Sequence, residues 1–190
     1  MLFHGSKTGG IRVLRPHVSN HGRPLIYFSQ KRENVLVYLC NPVERFCRES
    51  GFPLPERCYT WASYGFDPDG VLRLEEYYPH AAREAYSGAR GYLYSVEDFP
   101  EAAALEGIPF AFTAEKPVSV SGCEPVPDVY QAILEAERAG RLRLRRYEDN
   151  SPKMLAWIER AILQDYALYE DHPEYRHFLK AKFPEILKGK

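Results

Sequence analysis

Short apolar runs alternate with short stretches of helical period along this chain. Leu2-Phe3-His4-Gly5-Ser6 sets two apolar residues before a histidine, a glycine and a hydroxyl. It reads as a buried strand whose C-terminal end presents an imidazole and bare backbone. Pro24 to Ser29 reads as a second buried strand, with Ser29 placed to cap the helix that follows. In that helix Val35, Leu36, Tyr38 and Leu39 share a face, and Asn41-Pro42 ends it. Residues 48–70 are rich in Pro, Gly and Tyr without a clear period, which predicts a long ordered loop. Residues 71–74 are expected as a strand, residues 79–86 as a short helix closed by Gly88, and residues 91–96 as a strand. A further helix is expected over 98–105, ended by Gly107, then strands over 110–113 and 118–120.

The later pattern is more regular. Val126, Val129, Tyr130, Ile133 and Leu134 recur with the period of an amphipathic helix, stopped by Gly140. Residues 141–147 alternate Arg and Leu, which predicts a strand with one basic face made by Arg141, Arg143 and Arg145. Ser151-Pro152 is an N-cap followed by a first-turn proline. The helix it opens carries Leu155, Ile158, Ile162 and Tyr166 on one side. Asp171-His172-Pro173 starts a last helix, and residues 188–190 form a tail. Strands and helices do not follow a regular βαβ order, and no Gly-rich phosphate loop is present, which argues against Rossmann and P-loop enzymes. The pattern fits an α+β domain with split sheets. One domain is expected over 1–190, with a mixed sheet core over 1–147 and C-terminal helices over 151–187.

Composition narrows the class. A chain of 190 residues with 45% hydrophobic and 27% charged residues suits one soluble domain with its own core. A net charge of -1 supplies no global field toward nucleic acid or membrane. No apolar run reaches the roughly 18 residues of a membrane span, and no export signal is apparent, so a cytoplasmic protein is expected. Cys40, Cys47, Cys58 and Cys123 form no C-x-x-C pair, so no metal site is assigned and reduced thiols are expected. With fourteen tyrosines, most are expected at the edge of the core, and some to line a cleft.

Leu2 to Ser6, Ile26-Tyr27-Phe28-Ser29 and an acid in a later segment, Glu124, then stand together. With these residues the chain resembles the NAD-consuming ADP-ribosyltransferase superfamily, in the His-Tyr-Glu branch of the poly(ADP-ribose) polymerases and diphtheria toxin. In that branch a first strand ends in His-Gly-Ser or similar. A second carries Tyr, Phe and a small residue, and a second tyrosine follows eleven residues later, where Tyr38 stands. The resemblance covers residues 1–40 well and 110–130 loosely. It implies split antiparallel sheets of ADP-ribosyltransferase type and NAD as co-substrate. It also implies His4, Tyr27 and Glu124 as catalytic residues. NAD would be bound by His4, Gly5, Ser6, Tyr27, Ser29 and Tyr38.

The implied chemistry needs these groups. Breaking the nicotinamide–ribose bond develops positive charge on the ribose. His4 would hydrogen-bond a ribose hydroxyl, and Gly5 would offer its backbone to the carboxamide. Tyr27 and Tyr38 would stack on the ring, and Ser6 would position the adenosine side. Glu124 would bind the ribose 2′-hydroxyl and orient or deprotonate the nucleophile. Val35 stands where many polymerases carry a serine that bonds the carboxamide. No elongation domain is visible, so single transfer is expected over polymer synthesis, to an acceptor that is protein, nucleic acid or small molecule.

Other readings stay open. His17, His21 and Arg23 leave room for an NAD-dependent RNA 2′-phosphotransferase of the same fold, beside an NAD glycohydrolase. A non-catalytic nucleotide- or partner-binding module is the reading from another class. Glu97, Asp98 and Glu115 rival Glu124 as the acid. Arg141, Arg143 and Arg145 are either a solvated strand face or a phosphate-binding one.

Overall fold

The computed structural model describes residues 1–18, 22–61, 63–97 and 99–189. The first half of the chain forms β1 (Leu2–Ser6), β2 (Val13–Leu14), β3 (His17–Val18), β4 (Pro24–Ser29), a 3-10 helix (Arg32–Leu39), α1 (Pro42–Ser50), β5 (Tyr64–Phe66), β6 (Leu72–Glu75) and α2 (Ala81–Tyr86). The second half forms β7 (Gly91–Val96), β8 (Ala103–Ala104), β9 (Ala111–Ala114), β10 (Val118–Ser119), β11 (Gly122–Val126), α3 (Val129–Arg138), β12 (Arg143–Arg145), α4 (Pro152–Leu168) and α5 (Pro173–Lys182). The protein is therefore mixed α+β. Among the described residues no helix is long and apolar enough to cross a membrane.

The residues gather into two compact units. The first comprises Met1–Cys40, Tyr64–Arg73 and Tyr86–Arg143, the second Asn41–Ser63, Leu74–Ala85 and Leu144–Lys190. The C-terminal helices thus share a unit with two earlier segments, whereas the sequence pattern set them apart after residue 147.

The first unit holds a seven-stranded sheet of order β11-β7-β1-β4-β9-β8, with β3 on β4. Its pairings are antiparallel. Strand alternation divides the side chains between two faces. Leu2, Ile26, Phe28, Tyr94 and Val96 pack on one face with Leu14 and Val118, which belong to the paired strands β2 and β10. On the other face Gly5 and Gly91 let the 3-10 helix come close. A Cβ at Gly5 would stand 2.6 Å from the Val35 carbonyl oxygen, and one at Gly91 would stand 2.8 Å from Leu39 Cδ2.

That helix differs from the expected one. Ser29 does not cap it: its Oγ accepts the Lys31 amide at 3.0 Å, and the residue before the helix, Lys31, makes no side-chain cap. The tighter 3-10 winding buries Val35, Leu36, Val37 and Leu39 and turns Tyr38 outward, 48% exposed.

The second unit is built on aromatic rings. Trp61, Tyr78, Tyr175, Phe178 and Phe183 are buried together with Ile158, Ile162 and Leu179. Asn41-Pro42 not only ends the 3-10 helix but opens α1, where the Asn41 side chain accepts the Val43 amide at 3.1 Å. Ser151 caps α4 as expected, accepting the Met154 amide at 3.2 Å, and Ile158, Ile162 and Tyr166 face the core.

Two expected elements are replaced. The helix expected over 98–105 gives way to β8, where Ala103 and Ala104 pair with Thr113 and Phe112 of β9. Asp98 lies outside the described residues. The basic strand shortens to Arg143–Arg145, in a three-stranded sheet of order β12-β6-β5.

Candidate functional site

The site is centred on β1. Against β7 its ladder runs the full length, from Leu2↔Val96 to Ser6↔Tyr92. Against β4, among the described residues, it pairs only at Phe3↔Ser29. Past that point the Tyr27 carbonyl is bonded by a side chain, His4 Nδ1 at 2.9 Å. The sheet therefore loosens beside Gly5 and Tyr27.

A carbonyl only accepts, so Nδ1 of His4 carries the proton and Nε2 is left as an acceptor. Burial is the largest influence on this imidazole and pushes its pKa below 6.5. The bond to Tyr27 opposes that shift, and nearby His17 adds to it. Alternation places His4 on the face of Phe28, whose ring centroid is 6.1 Å away. A folded-state pKa below the unfolded value means that the unfolded chain binds the proton more readily. Stability from this group is full above about pH 6.5 and falls as pH drops below it. In an NMR titration the His4 ring is expected to titrate below 6.5 with the Nδ1–H tautomer. A midpoint above 6.5 would contradict the buried neutral ring.

Tyr27 lies on the opposite face from His4, with Gly5 and the 3-10 helix. Tyr38, on that helix, shares a hydroxyl–hydroxyl bond of 2.9 Å with Tyr64, and their rings meet edge to face at 6.2 Å. Desolvation first, then Tyr64, holds the Tyr38 phenol well above its usual range, and Tyr86 and Tyr27 are near enough to add to the effect. Tyr38 and Tyr64 thus form a tyrosine pair, with Tyr27 near enough to be felt electrostatically.

Glu124 lies within β11, opposite Leu93, which is itself opposite Gly5. Gly5, Leu93 and Glu124 therefore form one row across the sheet, with side chains on one face. Arg32 Nε donates to Glu124 Oε2 at 3.0 Å, and Arg32 Nη2 donates to Oε1. This pairing is the main cause holding the carboxyl below its usual range. The carboxylate stays ionised while its side chain is 54% exposed.

The remaining expected residues have local partners. Ser6 Oγ accepts the Thr8 amide at 3.1 Å, and Ser29 is buried in the turn described above. The guanidiniums of the basic strand are each matched to acids. Arg141 Nε bonds Glu33 at 2.8 Å, Arg143 bonds Asp67 and Asp69, and Arg145 bonds Glu75 at 3.1 Å. That pairing is a structural use for all three. Of the rival acids, Glu115 pairs with Arg23, and Glu97 lies at the end of β7. His21 lies outside the described residues.

Arg32, Glu33 and Tyr64 were not legible as site residues. Arg32 and Glu124 are 92 positions apart, and a single arginine before a helix carries no signal of a distant partner. Among the described residues no cluster of three or more His, Cys, Asp or Glu side chains is placed to hold a metal ion. Compared with known proteins, the chain matches no family model, no curated protein and no solved structure.

Proposed function

We propose that the chain is an NAD-consuming enzyme of ADP-ribosyltransferase type, transferring a single ADP-ribose to an acceptor. The observation that carries this reading is the row Gly5–Leu93–Glu124 beside the point where β1 and β4 part. Its seven-stranded sheet is read as part of the split-sheet fold of that superfamily.

In this reading Gly5 offers main-chain groups to the carboxamide at the loosened edge. Tyr27 and Tyr38 supply ring faces for nicotinamide. His4, neutral at pH 7, works from the other face of the sheet: its Nδ1 donates to the Tyr27 carbonyl and so fixes the backbone that carries Tyr27, rather than meeting the ribose as the resemblance implied. The C–N bond between nicotinamide and ribose C1′ breaks, and nicotinamide leaves with the electron pair. The acceptor's nucleophile bonds to C1′ and gives up its proton to the Glu124 carboxylate, which passes it to water. Ionised Glu124 accepts from the 2′-hydroxyl and stabilises the positive charge that develops on the sugar. Val35 takes no part as a side-chain donor, so the carboxamide depends on the backbone alone.

The test is free nicotinamide released from NAD by the purified protein, beside Glu124→Gln. Wild type is expected to release nicotinamide, and the substitution to slow release by about 10²- to 10⁴-fold. No release by wild type with protein, nucleic-acid or water acceptors would sink the reading. Equal rates in both proteins would remove Glu124 from it. A second reading, an NAD-dependent RNA 2′-phosphotransferase, has its basic residue in His17 of β3, which pairs with Leu25 of β4. Loss of an internal 2′-phosphate from RNA in the same assay would select it.

A further inference from the structure

The geometry points to Arg32 as a positioning residue that aims the Glu124 carboxylate along the Gly5 row. This rests on the NAD reading above.

Glu124 sits on β11, which ends the sheet, and more than half of its side chain is exposed. Unrestrained, such a side chain spreads over several rotamers, and fixing one costs free energy. Arg32 removes that freedom with a two-pronged contact, Nε to one carboxylate oxygen and Nη2 to the other. Each oxygen keeps a lone pair for a ribose hydroxyl.

Arg32 is itself held. It is the first residue of the 3-10 helix whose Val35 lies against Gly5. Its neighbour Glu33 is only 8% exposed and stands 3.8 Å from Arg32 Nη1. Glu33 in turn accepts from Arg141 Nε at 2.8 Å. Arg141 follows α3, and α3 follows β11, the strand that carries Glu124. The charges Arg141, Glu33, Arg32 and Glu124 thus close a loop of alternating sign back onto that strand. A lone exposed pair contributes little and leaves both partners mobile. Here one member is buried and the guanidinium fork fixes direction as well as charge.

Among the described residues, the side-chain hydrogen bonds to the Glu124 carboxylate come from Arg32. Glu135 of α3 acts on Arg32, Leu93 of β7 faces Glu124, and Tyr92 and Tyr94 of β7 lie on the opposite face of the sheet. Arg32 is therefore the group that sets both the ionisation and the direction of this carboxylate.

The experiment combines nicotinamide release with carbon NMR titration of labelled glutamate carboxyls in wild type, Arg32→Gln and Arg32→Lys. Arg32→Gln is expected to raise the Glu124 midpoint toward the ordinary carboxylate range and to move the acid limb of kcat upward with it. Its kcat is expected to fall about 10- to 100-fold with KM for NAD nearly unchanged. Arg32→Lys, which keeps the charge without the fork, is expected to keep the low midpoint and still lose kcat. Unchanged kcat in Arg32→Gln would overturn the proposal. So would a raised KM with an unmoved Glu124 midpoint, since Arg32 would then be acting on substrate. If wild type releases no nicotinamide, the NAD reading itself fails, a result distinct from active wild type with an indifferent Arg32.

Discussion

Gly5→Ala is expected to destabilise the protein by about 1–3 kcal/mol and to slow nicotinamide release by about 10²-fold. The added Cβ would lie 2.6 Å from the Val35 carbonyl oxygen and 3.2 Å from Leu39 Cδ2. The leucine methyl is the end of a flexible but buried side chain. The carbonyl belongs to the backbone of the 3-10 helix, so relief requires moving the helix. Lost backbone entropy in the unfolded chain favours alanine by about 0.4–1 kcal/mol, which is the smaller effect. A shifted helix carries Tyr38 away from Tyr27 and Arg32 away from Glu124, so activity should fall further than stability does. Gly65→Ala is the control, because its Cβ would meet only the end of Arg73 at 3.4 Å. Urea unfolding and nicotinamide release measured on both variants decide the matter. A Gly5→Ala protein as stable and active as the Gly65→Ala control would mean that the helix does not press on β1.

The largest effect on stability is expected at Phe178. Phe178→Ala should cost about 3–5 kcal/mol. The ring is fully buried, and its centroid lies 5.2 Å from Trp61, 5.9 Å from Phe46 and 6.4 Å from Tyr78. Its neighbours are themselves large rings held by other rings, such as Tyr59 stacked on Tyr175 at 4.1 Å. They have little freedom to collapse into the space left behind. Trp61 reports the change directly. In a Trp157→Phe background, its fluorescence should follow a urea transition displaced to lower denaturant. A midpoint moved by less than about 1 kcal/mol equivalent would show that this core closes over the cavity.

How much of this could be read from the sequence depended on whether local signals agreed with the surroundings. Residues 91–96 form a strand with the expected bounds, because an apolar run that opens at a glycine and ends at an acidic residue has one stable use in the middle of a sheet. Ser151-Pro152 likewise started α4, since cap and first-turn proline act within one turn of chain. The alanines at 103 and 104 misled because alanine favours a helix locally, while the free edge of β9 offered backbone partners. Asn41-Pro42 was legible as a stop, but the same pair also starts α1, whose exposed Arg45–Glu49 and Glu44–Arg48 pairs left little apolar period to detect.

The expected site was legible in part. Tyr27, Tyr38 and Glu124 fall on the face of Gly5, while the His4 ring lies on the other face and reaches only the Tyr27 backbone. What pattern could not supply was the face each strand residue takes and the partner each charge finds. His4 and Tyr27 point to opposite faces, and Arg141, Arg143 and Arg145 each have a carboxylate. Such pairings are made by folding across many residues and leave no periodic trace.

The interleaving of the two units sets an order for synthesis. Once residue 143 has left the ribosome, every segment of the first unit exists, and its sheet can close. Residues 41–63 and 74–85 must still wait for α4 and α5. At about 5–20 residues per second, translation of residues 144–190 takes roughly 2–9 s. During that interval Val43, Cys47, Trp61 and Tyr78 have no helices to cover them. Slow translation of the last quarter of the chain would therefore raise the demand on chaperones for these apolar residues, without any change in the finished fold.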